Sequence, residues 1–262
     1  MPNHDTNKLF IAINYVWRVL ATGFSFLLFG IGGVILSIFL YSISYLIPMS
    51  HNRKLAFIRG AISRTFGFYL LFLRLCGLLS VEFHGRELIK PGGQLIIANH
   101  PSLLDVTFLI SLVKQADCVV KASLFRTPLT RGPVSAAKYI RNDSTRLIQD
   151  CVQSLDQGNS LIIFPEGTRT QPGKPLSFHR GVANVALMAK KDITPITISC
   201  EPATLLKNQK WYQIPDRTPH FTISILPDIS IKPYLDMDLM QSQKARRLNR
   251  SLMEFFTARQ PG

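Results

Sequence analysis

The chain has 262 residues, of which 47% are hydrophobic and 18% charged, and its 30 Lys+Arg against 16 Asp+Glu give a net charge of +14. Soluble domains average roughly 25% charged residues, so this composition excludes a disordered chain and points away from a fully water-soluble one, and the absence of a Gly-X-Y period excludes a fibre. The positive balance suits an anionic partner: nucleic acid, anionic lipid headgroups, or a phosphorylated or acidic substrate.

In chain order, the first feature is a stretch without Asp, Glu, Lys or Arg between Arg18 and Arg53. Residues 19–47 would extend roughly 44 Å as one helix, against a hydrocarbon core of about 30 Å. The expectation is a retained membrane anchor. A signal peptide has a much shorter apolar part and a small-residue cleavage site after it. Gly30, Gly32 and Gly33 at the middle of the run allow either a kinked, tilted helix or a turn between two short helices of a hairpin. Arg53, Lys54, Arg59, Arg64 and Arg74 follow before the next acid, Glu82. By the positive-inside rule that excess keeps the C-terminal side cytoplasmic. Residues 61–79, apolar but interrupted by Arg64 and Arg74, read as an interfacial helix whose arginines reach up to headgroups.

From about residue 81 the pattern changes to short apolar runs alternating with amphipathic segments. Strands are predicted at 81–84, 94–98, 117–121, 160–164, 193–200 and 221–226, and helices at 102–113, 144–155, 181–190 and 239–258. This alternation implies an α/β fold with a mostly parallel central sheet. The organisation expected is an anchor and interfacial helix over 1–80 and one α/β domain over 81–262. The polar, proline-containing stretch 202–219 takes no assignment. Cys76, Cys118, Cys151 and Cys200 stand apart, with no C-x-x-C pair and no zinc-type spacing. They read as reduced thiols of a cytosolic compartment, neither a disulfide framework nor a metal site.

Two segments carry residues suited to chemistry. In Asn99-His100-Pro101-Ser102-Leu103-Leu104-Asp105 an apolar strand runs into a histidine, and Pro101 suits the first turn of a helix. Ser102-x-x-Asp105 has the pattern of a capping box, and an acid in a first turn favours the helix dipole. That pattern accounts for Ser102 and Asp105 but leaves His100 without a reason. With His100 in the turn before the helix, the Asp105 carboxylate reaches back to one ring nitrogen, fixes the tautomer and leaves the other nitrogen as a base. The second segment, Phe164-Pro165-Glu166-Gly167-Thr168-Arg169-Thr170, follows a predicted strand. Its bland reading is a tight strand-end turn. Strand C-termini are also where α/β sheets bind ligands. Gly167 permits close backbone approach, and Arg169 offers a planar fork for phosphate oxygens. Lys121, at the end of another predicted strand, is either a second cation for the site or an ordinary solvated lysine.

Together, His100-x-x-x-x-Asp105 and Phe164-Pro-Glu-Gly-Thr-Arg169 resemble the glycerolipid acyltransferase family, whose type members are the 1-acyl-sn-glycerol-3-phosphate (lysophosphatidic acid) acyltransferases. The resemblance covers about residues 85–200, and the preceding anchor suits it. It implies that His100 is the catalytic base and Asp105 its orienting partner, with Glu166, Gly167, Thr168 and Arg169 holding the acceptor lipid and shaping the site. It also places Lys121 where the family often has a phosphate-binding lysine. Thr194-Pro195-Ile196 resembles the family's fourth block, read as acyl-donor or structural. The second block departs from the pattern: Ala137-Lys138-Tyr139-Ile140-Arg141-Asn142 puts Arg141 one position away from the usual arginine.

The implied reaction moves a fatty acyl group from an acyl-carrier protein or coenzyme A thioester to a lysophospholipid hydroxyl, without cofactor or metal. The acceptor implied is 1-acylglycerol-3-phosphate, giving phosphatidic acid. Another hydroxylated lipid, such as an ornithine or pigment lipid, and a non-catalytic membrane scaffold are the alternatives. A serine hydrolase would need a G-x-S-x-G elbow, which is absent. Cys118 and Cys151 lie in apolar patterns and read as core thiols. The basic run Lys244-Ala-Arg246-Arg247-Leu-Asn-Arg250 comes without any nucleic-acid-binding pattern, so it reads as a solvated or membrane-facing helix and no nucleic-acid partner is expected. The location implied is the cell membrane, with the catalytic domain on the cytoplasmic face.

Overall fold

The computed structural model describes residues 4–46, 48 and 50–259. Two long helices, α1 (His4–Leu46) and α2 (His51–Leu75), precede an α/β domain. The domain runs β1 (Ser80–His84), β2 (Leu95–Ala98), α3 (Asp105–Leu112), β3 (Asp117–Val120), α4 (Pro128–Ala136), β4 (Ile140–Arg141) and α5 (Leu147–Asp156), then β5 (Leu161–Ile163), α6 (Gly181–Ala189), β6 (Ile193–Glu201), β7 (His220–Ile225), α7 (Lys232–Leu235) and α8 (Gln241–Thr257). The sheet has the order β1-β7-β6-β2-β5-β3-β4. Every neighbouring pair is parallel except β6 and β7. The predicted mostly parallel α/β fold is what forms.

Apolar runs without alternation mark strands covered on both faces, and β2 is such a strand. Ile96 and Ala98 face a core shared with α2, α3 and Leu40 of α1, while Leu95 and Ile97 face a second core shared with α5, α6 and α8. Phe108 of α3 and Phe221 of β7 meet at 4.9 Å between ring centroids in the first core, and Phe178 and Phe256 at 5.4 Å in the second. Burying such a side chain is worth about 1.5–3 kcal/mol.

The glycine-rich middle of α1 does not open into a hairpin: the helix is continuous from His4 to Leu46. The glycines serve packing instead. A Cβ at Gly33 would overlap the Leu129 carbonyl of α4, and one at Gly132 would overlap the Ser37 hydroxyl, so a glycine on each helix admits the other at close range. One side of α1 is thus covered by the α/β domain. On that side Arg18 is buried, its guanidinium donating to the carbonyls of Pro215 (2.6 Å), Asp216 (2.9 Å) and Arg217 (3.1 Å). Further along, Leu40 is fully buried. The opposite side, with Leu20, Phe24, Leu27, Ile31, Ile35 and Ile38, is exposed. Both α1 and α2 are long and apolar enough to cross a membrane.

Three further expectations are corrected. The predicted interfacial helix at 61–79 is the second half of α2, which begins ten residues earlier and stops at Leu75. Arg59, counted among the basic flank, points inward and pairs with Asp117 at 2.8 Å, so it adds nothing to the surface charge. The helix predicted from Ser102 starts at Asp105, leaving Pro101 in the approach to it rather than in its first turn. Helix α4 and the two-residue strand β4 were not predicted at all.

Candidate active site

His100 lies just past the C-terminal end of β2, and Glu166 just past that of its neighbour β5. Asn99 secures the end of β2: its amide donates to the Ile198 carbonyl and its oxygen accepts from the Ile198 N–H, both at 2.7 Å. The chain then leaves the strand and turns back before α3, as the five-residue spacing requires. In that turn the Asp105 Oδ2 faces the His100 Nδ1 at 2.9 Å and also accepts the Ser102 N–H at 2.7 Å. Only the carboxylate half of a capping box forms, since the Ser102 hydroxyl has no partner among the described residues. Asp105 is fully buried and His100 keeps 14% of its side chain exposed. With Nδ1 turned to a carboxylate, the proton belongs on Nδ1 and Nε2 is the free acceptor. The Phe164 ring holds the imidazole from the side, with centroids 4.4 Å apart. Burial pushes the Asp105 carboxyl up, opposed by its bonds to His100 and Ser102 and by the charge of Arg169.

The segment after β5 grips the backbone of His100. The His100 N–H is shared between Glu166 Oε1 (3.1 Å) and Thr170 Oγ1 (3.2 Å). The Thr170 hydroxyl donates to the same Glu166 oxygen at 2.6 Å, and the Thr170 N–H donates to the His100 carbonyl at 2.7 Å. Burial raises Glu166 as well, with Thr170 and the His100 N–H working against it. Glu166 thus positions the histidine, and Thr170, which sequence reasoning left out of the site, is its partner. Gly167 has φ +63° and lies so close to the His179 ring that a Cβ would come within 3.0 Å of it, so turn geometry and crowding both require glycine there. Thr168 is exposed at the tip of the turn.

The cations fall in different settings. Arg169 Nη1 donates to the carbonyls of Leu205 (2.7 Å) and Leu206 (2.9 Å), which ties the stretch 202–219 to the site. Lys121 is exposed directly after β3, and its side chain has no ion pair or hydrogen bond among the described residues. Arg141, at the end of the edge strand β4, is held bidentately by Asp143 at 3.0 Å per bond. Thr194 lies at the other end of the sheet from His100, its hydroxyl donating to Asp228 at 2.6 Å, so this block supports the sheet. The four cysteines are free. Burial pushes the Cys118 thiol far up and Cys151 up to about 12, which leaves both as core groups.

A cavity of about 560 Å³ opens beside this turn. Its walls are almost wholly apolar and run from Phe26, Phe29 and Leu36 of α1 through Phe66 and Phe72 of α2 to Leu103, Leu104 and Leu205. Leu103 and Leu104 are the two residues immediately before Asp105.

Residues 80–199 match the family model described as Acyltransferase. Among curated relatives, a 1-acyl-sn-glycerol-3-phosphate acyltransferase of Chlamydomonas reinhardtii is 31% identical over 126 residues, covering 45% of this chain and 38% of the relative. One from Helicobacter pylori is 31% identical over 115 residues, 41% of this chain and 48% of the relative. The matched part is thus less than half the length of either relative. The crystal structure of the 1-acyl-sn-glycerophosphate (LPA) acyltransferase PlsC from Thermotoga maritima shares the fold. It superposes with a TM-score of 0.68 over 96% of this chain and 100% of that one, at 19% identity.

Proposed function

We propose that this chain, whose residues 80–199 belong to the acyltransferase family, transfers a fatty acyl group from an acyl thioester to the free hydroxyl of 1-acylglycerol-3-phosphate, giving phosphatidic acid. The observation that carries this reading is the His100–Asp105 pair, joined by a turn whose Leu103 and Leu104 line the apolar cavity. A thioester carbonyl is already activated, so the reaction needs a good nucleophile more than a strong acid. His100 Nε2 takes the proton of the acceptor hydroxyl as its oxygen attacks the carbonyl, and Asp105 stabilises the imidazolium formed. The tetrahedral intermediate then collapses to the ester and expels the thiolate, which takes up a proton. No acyl-enzyme is needed. General-base help of this kind is worth about 10²–10⁴-fold, and holding both substrates in line adds to it.

The cavity suits the acyl chain: it is apolar, and its volume falls within the roughly 300–1,000 Å³ of small-molecule sites. Arg169 and the unpaired Lys121 suit the acceptor phosphate, with Arg141 the weaker candidate because Asp143 already neutralises it. Coenzyme A and acyl-carrier protein, both anionic, suit the +14 charge as donor carriers. The exposed apolar side of α1 supports attachment to the cell membrane, and Arg53, Lys54, Arg64 and Arg74 support a cytoplasmic catalytic face. The test is release of thiol from acyl-coenzyme A and acyl-carrier protein by membranes containing the protein, with and without 1-acylglycerol-3-phosphate. Release that depends on the acceptor and yields phosphatidic acid is expected; release without acceptor, or none with either donor, overturns the reading.

A further inference from the structure

The stretch 202–219, which the sequence pattern left unassigned, is a compact loop braced by its own side chains. The Gln209 side chain accepts the Leu206 N–H at 2.8 Å and donates to the Gln213 carbonyl at 2.7 Å, while the Gln213 side chain accepts the Lys210 N–H at 2.8 Å. On this base Trp211 and Tyr212 stand outward, each 45% exposed, their rings edge to face at 5.6 Å. A large aromatic pair left this open in a well-packed loop has lost the burial that normally holds such side chains inside. Lys210 lies 5.6 Å over the Tyr212 ring, and Lys207 is exposed nearby. The loop contains three basic residues, Lys207, Lys210 and Arg217, and one acid, Asp216.

Its position gives the pair a partner. One edge of the Trp211 indole rests on Gly23 of α1, where a Cβ would come within 3.0 Å. Leu20, Phe24 and Leu27, within four residues of Gly23, belong to the exposed apolar side of that helix. Trp211 therefore extends an apolar surface that already faces away from the domain, and the lysines border it. Aromatic rings with a polar edge beside basic side chains are what the headgroup level of a bilayer selects. We propose that the 207–212 tip of this loop is a second membrane-contacting element, with Trp211 and Tyr212 seated at the headgroup–acyl boundary and Lys207 and Lys210 on anionic headgroups. This rests on the reading that the chain is membrane-attached. It goes beyond that reading by bringing to the bilayer the loop whose Leu205 and Leu206 carbonyls hold Arg169.

The chain has two tryptophans, Trp17 and Trp211, so fluorescence can isolate the loop. Trp17→Phe leaves Trp211 as reporter, and the difference between the unaltered protein and Trp211→Phe gives the same signal should Trp17→Phe fold poorly. The protein is reconstituted in phosphatidylcholine–phosphatidylglycerol vesicles with or without brominated acyl chains, and flotation is measured on the same samples. The expected result is flotation with at least about a twofold loss of Trp211 emission to the brominated lipid, protection from aqueous iodide, and weaker quenching in Lys207→Ala/Lys210→Ala. Protein that floats while Trp211 stays open to iodide and unquenched by bromine overturns the proposal alone. Protein that does not float overturns the membrane reading and this one together. Neither readout involves acyl transfer, so neither depends on the chemistry assigned to His100.

Discussion

Two buried carboxylates of this molecule face a guanidinium in one case and an imidazole in the other, and do opposite work. Asp117, at the start of β3, has both oxygens occupied: Oδ1 by the Cys118 N–H, and Oδ2 by the Ser154 hydroxyl and by Arg59 of α2 at 2.8 Å. Arg59 is equally enclosed, with Nε on the Ala137 carbonyl, and the two side chains are 3% and 5% exposed. Asp105, at the start of α3, uses one oxygen, and its partner His100 keeps 14% of its side chain exposed. Burial raises both carboxyls. A buried pair of a guanidinium and a carboxylate, 2.8 Å apart, fastens α2 to the sheet. A pair in which one ring nitrogen is spoken for and the other is free can move a proton.

Breaking each pair should separate these roles. His100→Ala is expected to lower acyl transfer by about 10²–10⁴-fold, the size of a lost general base, while vesicle flotation stays as it is. Arg59→Met should do the reverse. It strands the Asp117 carboxylate in the core, costing about 3–5 kcal/mol by chemical denaturation, with transfer per folded molecule unchanged. Adding Asp117→Leu should recover part of the loss. Arg169→Ala releases the Leu205 and Leu206 carbonyls and removes a cation suited to the acceptor phosphate, so KM for 1-acylglycerol-3-phosphate should rise by about tenfold, equivalent to roughly 1.4 kcal/mol. An unchanged KM would assign Arg169 to the loop alone.

Smaller effects sharpen the positioning role of Glu166. Glu166→Gln keeps an oxygen for the His100 N–H and the Thr170 hydroxyl and should retain kcat within about threefold, whereas Glu166→Ala leaves the His100 N–H only its longer bond to Thr170 Oγ1, takes the acceptor from the Thr170 hydroxyl and should cost roughly 1–3 kcal/mol. The linkage has a definite sign. The folded state holds the Glu166 proton to higher pH than the unfolded chain does, so native stability falls as pH rises from about 4.3 through the raised value. The Glu166→Gln protein lacks that loss, and its stability advantage should therefore grow across the same window in pH-dependent denaturation. Smallest of all, Arg141→Ala breaks an exposed pair and should leave the denaturation midpoint almost unchanged.

The same contrast explains what could be read ahead of the fold. His100 and Asp105 lie five residues apart, and the turn that joins them is written in the local pattern. The strands of the sheet interior were legible because apolar runs bounded by turn residues have few other uses. Contacts across the sheet left no such trace. Nothing near Arg59 signals that it leaves the basic flank for Asp117, since its neighbours Arg53, Lys54 and Arg64 have the same composition. Glu166 and Thr170 were visible as a strand-end turn, but their hold on the His100 backbone depends on β2 and β5 being neighbours. Strand β4 has two residues, too few for any periodicity. The glycines of α1 were ambiguous because a notch for a neighbouring helix and a bend look alike in one sequence.

The most direct test of the central claim is the ¹⁵N spectrum of the His100 imidazole at neutral pH, assigned by its disappearance in His100→Gln. The account requires the resting ring to carry its proton on Nδ1, toward Asp105, with Nε2 bare, and this preference to be lost in Asp105→Ala. A ring protonated on Nε2 in the unaltered protein, with Nδ1 as the acceptor, would contradict it.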